Sequence, residues 1–132
     1  MEFVTFKTAK KLKEKGYPHV ERGSLAMYNE EGEIFSLCAA LFDHYEYSFF
    51  DFNERDCVAP TISQALDWLR EEKGIHIGIV VWEKGWYFDV WSFEFGEEEI
   101  EYETHNRHVS EDYKSYKEAA LAGIEYVLDD LN

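Results

Sequence analysis

Two pairs of side chains in this chain of 132 residues have types and spacing that suit acid–base or metal chemistry. His105 and His108 lie on one helical turn if their segment is helical, which would bring two imidazoles together as metal ligands. Their segment has the polarity of a loop, however, and offers no third ligand of obvious position. His76 and Asp89 fall in the two strands of a predicted hairpin, where the carboxylate would favour a protonated imidazole.

We interpret the first pair as chance spacing and the second as a structural polar pair. A small hydrolase or metal enzyme that uses His76 and Asp89, or His105 and His108, is the alternative function that these residues leave open.

Other patterns that could carry chemistry are incomplete. Residues 51–56 begin like a calcium-binding loop, but Arg55 and Asp56 stand where a ligand and a glycine are needed. No phosphate-binding glycine loop and no nucleophile elbow occurs. Cys38 is expected to be a buried apolar thiol and Cys57 to be more exposed, and neither has a local base beside it. We therefore predict no catalytic residue, no metal and no cofactor.

Aromatic residues are concentrated in the predicted hairpin. They populate both faces of its two strands: Trp82, Trp86, Tyr87, Phe88, Trp91, Phe93 and Phe95. If helices cover only one face of the sheet, some of these rings face water, and exposed groups of rings are typical of interfaces. We take Trp82, Trp86 and Trp91 as candidate interface residues. The alternative, that residues 25–52 cover the second face, stays open.

The charge is acidic and unevenly distributed, with a formal net charge of −15. Residues 1–22 hold six basic side chains against three acidic ones, a net of +3, whereas residues 23–132 hold seven against 25, a net of −18. Such a surface repels phosphate backbones and argues against ordinary nucleic-acid binding. Solubility is the simplest interpretation. The alternative is an acidic inhibitor that imitates DNA and occupies a basic nucleic-acid enzyme.

Hydrophobic periodicity and turn residues predict three helices and several strands. The helices are expected at Thr5–Lys15, Thr61–Lys73 and Ser115–Leu131. The strands are expected at 25–28, 34–37, 41–52, 75–82, 86–95 and 97–104. A short helix around Ala39 is an equally good interpretation of the start of the third strand. The last strand is expected to be a charged edge strand.

Local signals set the limits of these elements. Thr5 suits a helix N-cap, and Gly16 suits a left-handed stop. Thr61 with Gln64 forms a capping box, in which two side chains satisfy backbone donors reciprocally. The helix behind Thr61 presents a predicted core stripe of Ile62, Ala65, Leu66 and Leu69, flanked by Trp68. The second hairpin is expected to turn through a three-residue loop that ends at Gly85.

These elements predict a single α+β domain over residues 1–132. Its antiparallel sheet is expected to come mainly from residues 25–52 and 75–104, with three helices packed against it. No run of about 18 apolar residues is present, so no transmembrane helix is expected. The N-terminal residues open into a basic helical pattern without an apolar signal core, which favours a cytoplasmic protein.

Two stretches carry a resemblance to a known family. Residues 59–77 contain Ala-Pro-Thr, then Trp-Leu-Arg and Ile-His-Ile, and residues 115–119 read Ser-Tyr-Lys-Glu-Ala ahead of Gly123. The chain resembles uncharacterised small proteins of Bacteroides-type bacteria and their phages or mobile elements, over residues 1–16 and 59–131. The resemblance implies the same order of helices and hairpin. It implies no activity, cofactor or catalytic residue.

The sequence thus favours a non-enzymatic binding or accessory protein of phage or mobile-element type. It would act through its aromatic sheet surface on a protein partner or on a second copy of itself, without contact with a membrane.

Overall fold

The computed structural model describes residues 2–18, 26–36, 56–95 and 102–131. The chain forms two compact units, Met1–Thr61 and Ile62–Asn132. In chain order the elements are α1 (Phe6–Glu14), β1 (Ala26–Tyr28), β2 (Ile34–Ser36), β3 (Cys57–Val58), α2 (Ile62–Lys73), β4 (Ile75–Trp82), β5 (Gly85–Phe95), β6 (Tyr102–Val109) and α3 (Tyr116–Asp130).

Helix α1 begins and ends where its capping residues predict. The Thr5 hydroxyl accepts a hydrogen bond from the Thr8 backbone N–H at 3.2 Å, which satisfies one of the unpaired donors of the first turn. At the other end Gly16 has a φ of +99°, and the Tyr17 N–H donates to the Leu12 carbonyl at 2.9 Å. This is the Schellman arrangement, which a left-handed glycine permits. The predicted first helix is confirmed.

The first unit also contains a three-stranded antiparallel sheet in the order β2-β1-β3. The β1–β2 turn is held by the Asn29 side chain, whose Oδ1 accepts from the N–H groups of Glu31 at 3.0 Å and Glu33 at 2.9 Å. Gly32 closes the turn with a φ of +81°. The predicted hairpin is therefore confirmed, whereas the strand predicted at 41–52 and its helical alternative lie outside the described residues.

Helix α2 opens the second unit. It begins at Ile62, directly after the predicted cap Thr61, and buries Ile62, Ala65 and Leu69. Leu66, which was expected in the same stripe, is only half-buried. Gly74 follows the helix with a φ of +66° and leads into β4, so the predicted glycine stop is confirmed.

Strands β4, β5 and β6 form the second antiparallel sheet in that order. Gly85 pairs with Trp82, so two residues connect β4 to β5 and the predicted three-residue loop is wrong. Gly85 has a φ of +133°, as expected of a glycine at the end of such a turn. It also lies against Tyr113, where a Cβ would approach the carbonyl oxygen to 2.5 Å.

Strand β6 differs most from the sequence prediction. It extends from Tyr102 to Val109, so residues 105–108, which were predicted to form a polar loop, belong to a strand. Residues 97–101 of the predicted edge strand lie outside the described part of the chain. The register between β5 and β6 shifts between Val90 and Trp91, so Arg107 has no directly opposed residue on β5, although its Nε–H donates to the Ser92 hydroxyl at 2.9 Å. This bulge changes the alternation of side chains along β6.

Helix α3 packs closely on the β4–β5 hairpin. Ser115 caps it by accepting from the Glu118 N–H at 3.1 Å. A Cβ added to Gly123 would lie 2.8 Å from Ile77 Cγ2 and 3.1 Å from Phe88 Cγ, so the helix backbone reaches the sheet at this residue. The helix contributes a buried face of Ala119, Ala120, Gly123, Ile124, Val127 and Leu128. Burial of each large apolar side chain stabilises the fold by about 1.5–3 kcal/mol.

Helices α2 and α3 contact each other and both contact β4, which places them on the same face of this sheet. The α+β class and the three helices are confirmed for the described residues. The strands of those residues, however, form two sheets rather than one. None of the described helices is long and apolar enough to cross a lipid bilayer.

We expect Gly123→Ala to lower the free energy of unfolding by up to about 2 kcal/mol, measured by urea denaturation. Overpacking against Ile77 and Phe88 costs about 1–3 kcal/mol, whereas alanine gains only about 1 kcal/mol over glycine in a helix. The neighbouring change Ala122→Gly reports the helix propensity alone. A Gly123→Ala variant that is more stable than the wild type would contradict the close packing.

Candidate functional site

The β4–β5 turn presents apolar side chains to solvent. Val81 is 60% exposed, and Trp82 and Tyr116 are each 43% exposed. Val81 pairs with Trp86 across the hairpin. The Trp86 ring in turn meets the Tyr116 ring edge-on, with centroids 5.7 Å apart and an angle of 87°. These four residues, Val81, Trp82, Trp86 and Tyr116, are called the tip cluster.

The exposed Trp82 ring is held in one orientation by three contacts. Its Nε1–H donates to Asp112 Oδ1 at 2.7 Å. The ring also meets Tyr87 edge-on, with centroids 6.2 Å apart, and the Lys84 ammonium lies 5.4 Å from its centroid. Edge-on ring contacts and cation–π contacts both favour a fixed geometry. Trp82 is therefore ordered although nearly half of it faces solvent.

Residues 110–115, which follow β6, continue along β5 toward this turn. The Ser110 N–H donates to the Phe88 carbonyl at 2.9 Å, and its hydroxyl accepts from the Phe88 N–H at 2.8 Å. Further along, the Trp86 N–H donates to the Tyr113 carbonyl at 2.8 Å, and the Tyr113 N–H donates back at 2.6 Å. The 110–115 segment thus positions Asp112 and Tyr116 beside the two tryptophans.

Several carboxylates lie close in the chain to the tip cluster, and one of them, Asp112, contacts it. Glu83 lies in the turn, and Glu111, Asp112 and Glu118 come from the 110–115 segment and the first turn of α3; all four are exposed. Three cations, Lys84, Lys114 and Lys117, are close to them in the chain. The border of the tip cluster is therefore mixed in charge, with a small acidic excess.

The third candidate tryptophan lies elsewhere. Trp91 pairs with His76, far along the hairpin from the Trp82–Gly85 pair, and it is half-buried. The register places Trp82 and Trp86 at the same turn but on opposite faces of the hairpin, and it places Trp91 on the face of Trp82, farther along the strands. Sequence reasoning missed Val81 and Tyr116, because their exposure depends on where α3 starts relative to the turn.

The His76 and Asp89 pair is offset across the hairpin. His76 is opposite Trp91, and Asp89 is opposite Gly78, so the two residues are diagonal neighbours on one face rather than a direct pair. The Asp89 carboxylate covers Gly78, where an added Cβ would overlap its Oδ1. The predicted neighbour relation holds only in this diagonal form.

The two histidines of the second pair lie opposite different residues of β5. His105 is opposite Ser92 and His108 is opposite Val90. The His108 ring stacks on Tyr126 of α3, with centroids 4.1 Å apart and an angle of 13°. Among the described residues, no three His, Cys, Asp or Glu side chains are grouped so that they could hold a metal ion.

A groove of about 420 Å³ lies between α3, β5, β6 and the 110–115 segment. We call it the aromatic groove; its described lining residues are Phe88, His108, Ser110, Glu111, Tyr113, Ala122 and Tyr126. The Tyr113 ring stacks on Phe88, with centroids 6.1 Å apart. Burial raises the pKa of the Tyr113 hydroxyl, and the Glu111 carboxylate raises it further. Sequence reasoning missed this groove because no spacing connects Tyr113 with Tyr126.

The remaining nucleophile candidate, Cys57, is in the first unit and is buried, being 4% exposed. The expectation that Cys57 is the more exposed thiol is thus wrong for this residue, since β3 places it in the core beside β1. Cys38 lies outside the described residues. Burial raises the pKa of the Cys57 thiol, although Lys13 and Lys10 act in the opposite direction. A protonated, buried thiol is a poor nucleophile.

No protein-family model, no curated protein and no solved structure matches this chain. The resemblance of residues 59–77 and 115–123 to a bacterial and phage family stays a prediction.

We expect Cys57 to react with a thiol reagent at least about tenfold more slowly in the folded chain than in denaturant at neutral pH, because the native thiol is protonated and buried. A Cys38→Ser background isolates the signal of Cys57.

The raised pKa of Cys57 also stabilises the fold below the thiol's usual pKa of about 9, and this contribution disappears as the pH rises through the folded-state pKa. Two results would contradict this prediction. One is a free energy of unfolding that falls with rising pH to the same extent in a Cys57→Ala variant, and the other is rapid labelling of Cys57 in the folded chain.

Proposed function

We propose that this protein is a non-enzymatic binding protein that contacts a protein partner through the tip cluster. The observation that carries the proposal is the ordered and exposed ring of Trp82, which is 43% exposed and hydrogen-bonded through Nε1 to Asp112.

An ordered exposed tryptophan suits binding for an energetic reason. A side chain that must be immobilised on association costs about 0.5–1.5 kcal/mol, and Trp82 is already restrained by Asp112, Tyr87 and Lys84. Tryptophan and tyrosine are also the residues most often found to dominate interface energies, commonly by about 2 kcal/mol or more each. Trp82 therefore offers a preorganised ring on one face of the turn, and Trp86 with Tyr116 offers a pair of rings on the other face.

The charge around the tip cluster indicates the chemistry of the partner. Because four carboxylates and three lysines lie close in the chain to the tip cluster, the complementary surface combines an apolar pocket with a border of small cationic excess. Electrostatic steering of this kind accelerates association and weakens as salt screens the charges.

The histidine pairs support an enzyme less well. His76 and Asp89 are diagonal rather than directly opposed, and His108 has one ring face covered by Tyr126. The proposal takes the cytoplasm as the setting, as the sequence favours.

The test compares immobilised full-length wild type with two variants. Trp82→Ala removes the central ring, and Ile34→Ala removes an exposed apolar side chain of the first unit, 48% exposed, as the matched control. Proteins that depend on the tip cluster should bind the wild type and Ile34→Ala, and bind Trp82→Ala at least about tenfold more weakly. Quantitative mass spectrometry at low and high salt measures this.

Identical retention by Trp82→Ala and the wild type would contradict the proposal. If nucleic-acid enzymes are retained in a salt-sensitive way without dependence on Trp82, the acidic inhibitor that imitates DNA becomes the better explanation. Light scattering of the wild type over a range of concentrations tests self-association directly.

A further inference from the structure

The lining of the aromatic groove differs in charge from that of its neighbour. A second cavity of about 330 Å³ is lined in part by Lys73 and Arg107 together with Asp130. The described lining of the aromatic groove includes no Lys or Arg, and its one carboxylate is that of Glu111. Tyr126 borders both cavities. The aromatic groove is therefore the more favourable of the two for a positive charge.

Aromatic rings belong to four of the seven described lining residues. Phe88 is 2% exposed and lies at the bottom, with the half-buried Tyr113 stacked on it. Tyr126, 37% exposed, also contacts Phe88, with ring centroids 6.0 Å apart, and the His108 ring stacks on it. Aromatic faces carry partial negative charge and attract cations that approach within about 6 Å of the ring centroid. The small side chain of Ala122 leaves space between the rings and helix α3.

The type of cation follows from the ring-rich lining. A primary ammonium has three strongly hydrated N–H donors, and the side-chain oxygens of the lining that could replace that hydration are those of Glu111, Tyr113 and Tyr126 and the Ser110 hydroxyl, which already bonds the backbone of Phe88 and Glu111. A quaternary ammonium has no N–H donor and presents methyl groups, so it loses less hydration and gains apolar contact with the rings. The volume of about 420 Å³ is within the range of small-molecule sites.

We propose that the aromatic groove binds a small quaternary ammonium ligand, with its methyl groups against Tyr113 and Tyr126 and its charge neutralised by Glu111. This site is separate from the tip cluster and does not depend on the function proposed for that cluster.

The test uses choline and its uncharged isostere 3,3-dimethylbutan-1-ol, which differ in charge but hardly in shape. In proton NMR titrations of the full chain, choline should bind with a Kd of about 1 mM, and the alcohol at least about tenfold more weakly. The N-methyl protons of choline should shift upfield because they lie over ring faces. A second titration uses trimethyllysine amide. If it binds more tightly than choline, a methylated lysine side chain is the natural source of the quaternary ammonium group.

Variants locate the site. Tyr126→Leu and Glu111→Gln should each weaken choline binding at least about fivefold. Tyr116→Leu on the same helix and Glu83→Gln in the turn are the matched controls and should leave it unchanged, as should Trp82→Ala. Equal affinity for choline and the alcohol, no binding of choline at about 10 mM, or equal losses in Tyr126→Leu and Tyr116→Leu would overturn the proposal.

Discussion

The two candidate binding surfaces of the second unit depend on one backbone pairing, in which Trp86 and Tyr113 exchange N–H···O hydrogen bonds of 2.8 and 2.6 Å. This pairing attaches the 110–115 segment to the β4–β5 turn. It requires glycine at position 85, because a Cβ there would lie 2.5 Å from the Tyr113 carbonyl oxygen. Both candidate binding surfaces receive side chains from the attached segment: Asp112 restrains the Trp82 ring, and Tyr113 and Glu111 line the aromatic groove.

Helix α3 depends on the same arrangement at its N-terminus and on close packing in its middle. Ser115 caps the helix immediately after the attached segment, so the position of Tyr116 beside Trp86 follows from the pairing. Gly123 then lets the helix backbone approach Ile77 and Phe88, which sets the height of Tyr126 above the sheet. The tip cluster and the aromatic groove are thus two separate consequences of how one helix is attached to one hairpin.

Features that depend on neighbouring residues in the chain were predictable from the sequence. Thr5 and Gly16 mark the ends of α1 because caps act within one helical turn, and Ser115 marks the start of α3 for the same reason. The strand path of residues 105–108 was not predictable, because it depends on pairing with β5 and on the bulge at Arg107. The same distinction applies to the candidate binding surfaces. The hairpin tryptophans are predictable from the sequence, whereas Tyr113 and Tyr126 come together only through tertiary structure.

Amide hydrogen exchange in a Gly85→Ala variant of the full chain tests most directly whether this pairing positions both surfaces. The added methyl group and the strained φ should separate Tyr113 from Trp86. We expect the Tyr113 N–H and the Trp82 Nε1–H to exchange at least about tenfold faster than in the wild type, with the amides of Ile77 and Val90 unchanged. Unchanged exchange at both Tyr113 and Trp82 would contradict the central role of the pairing.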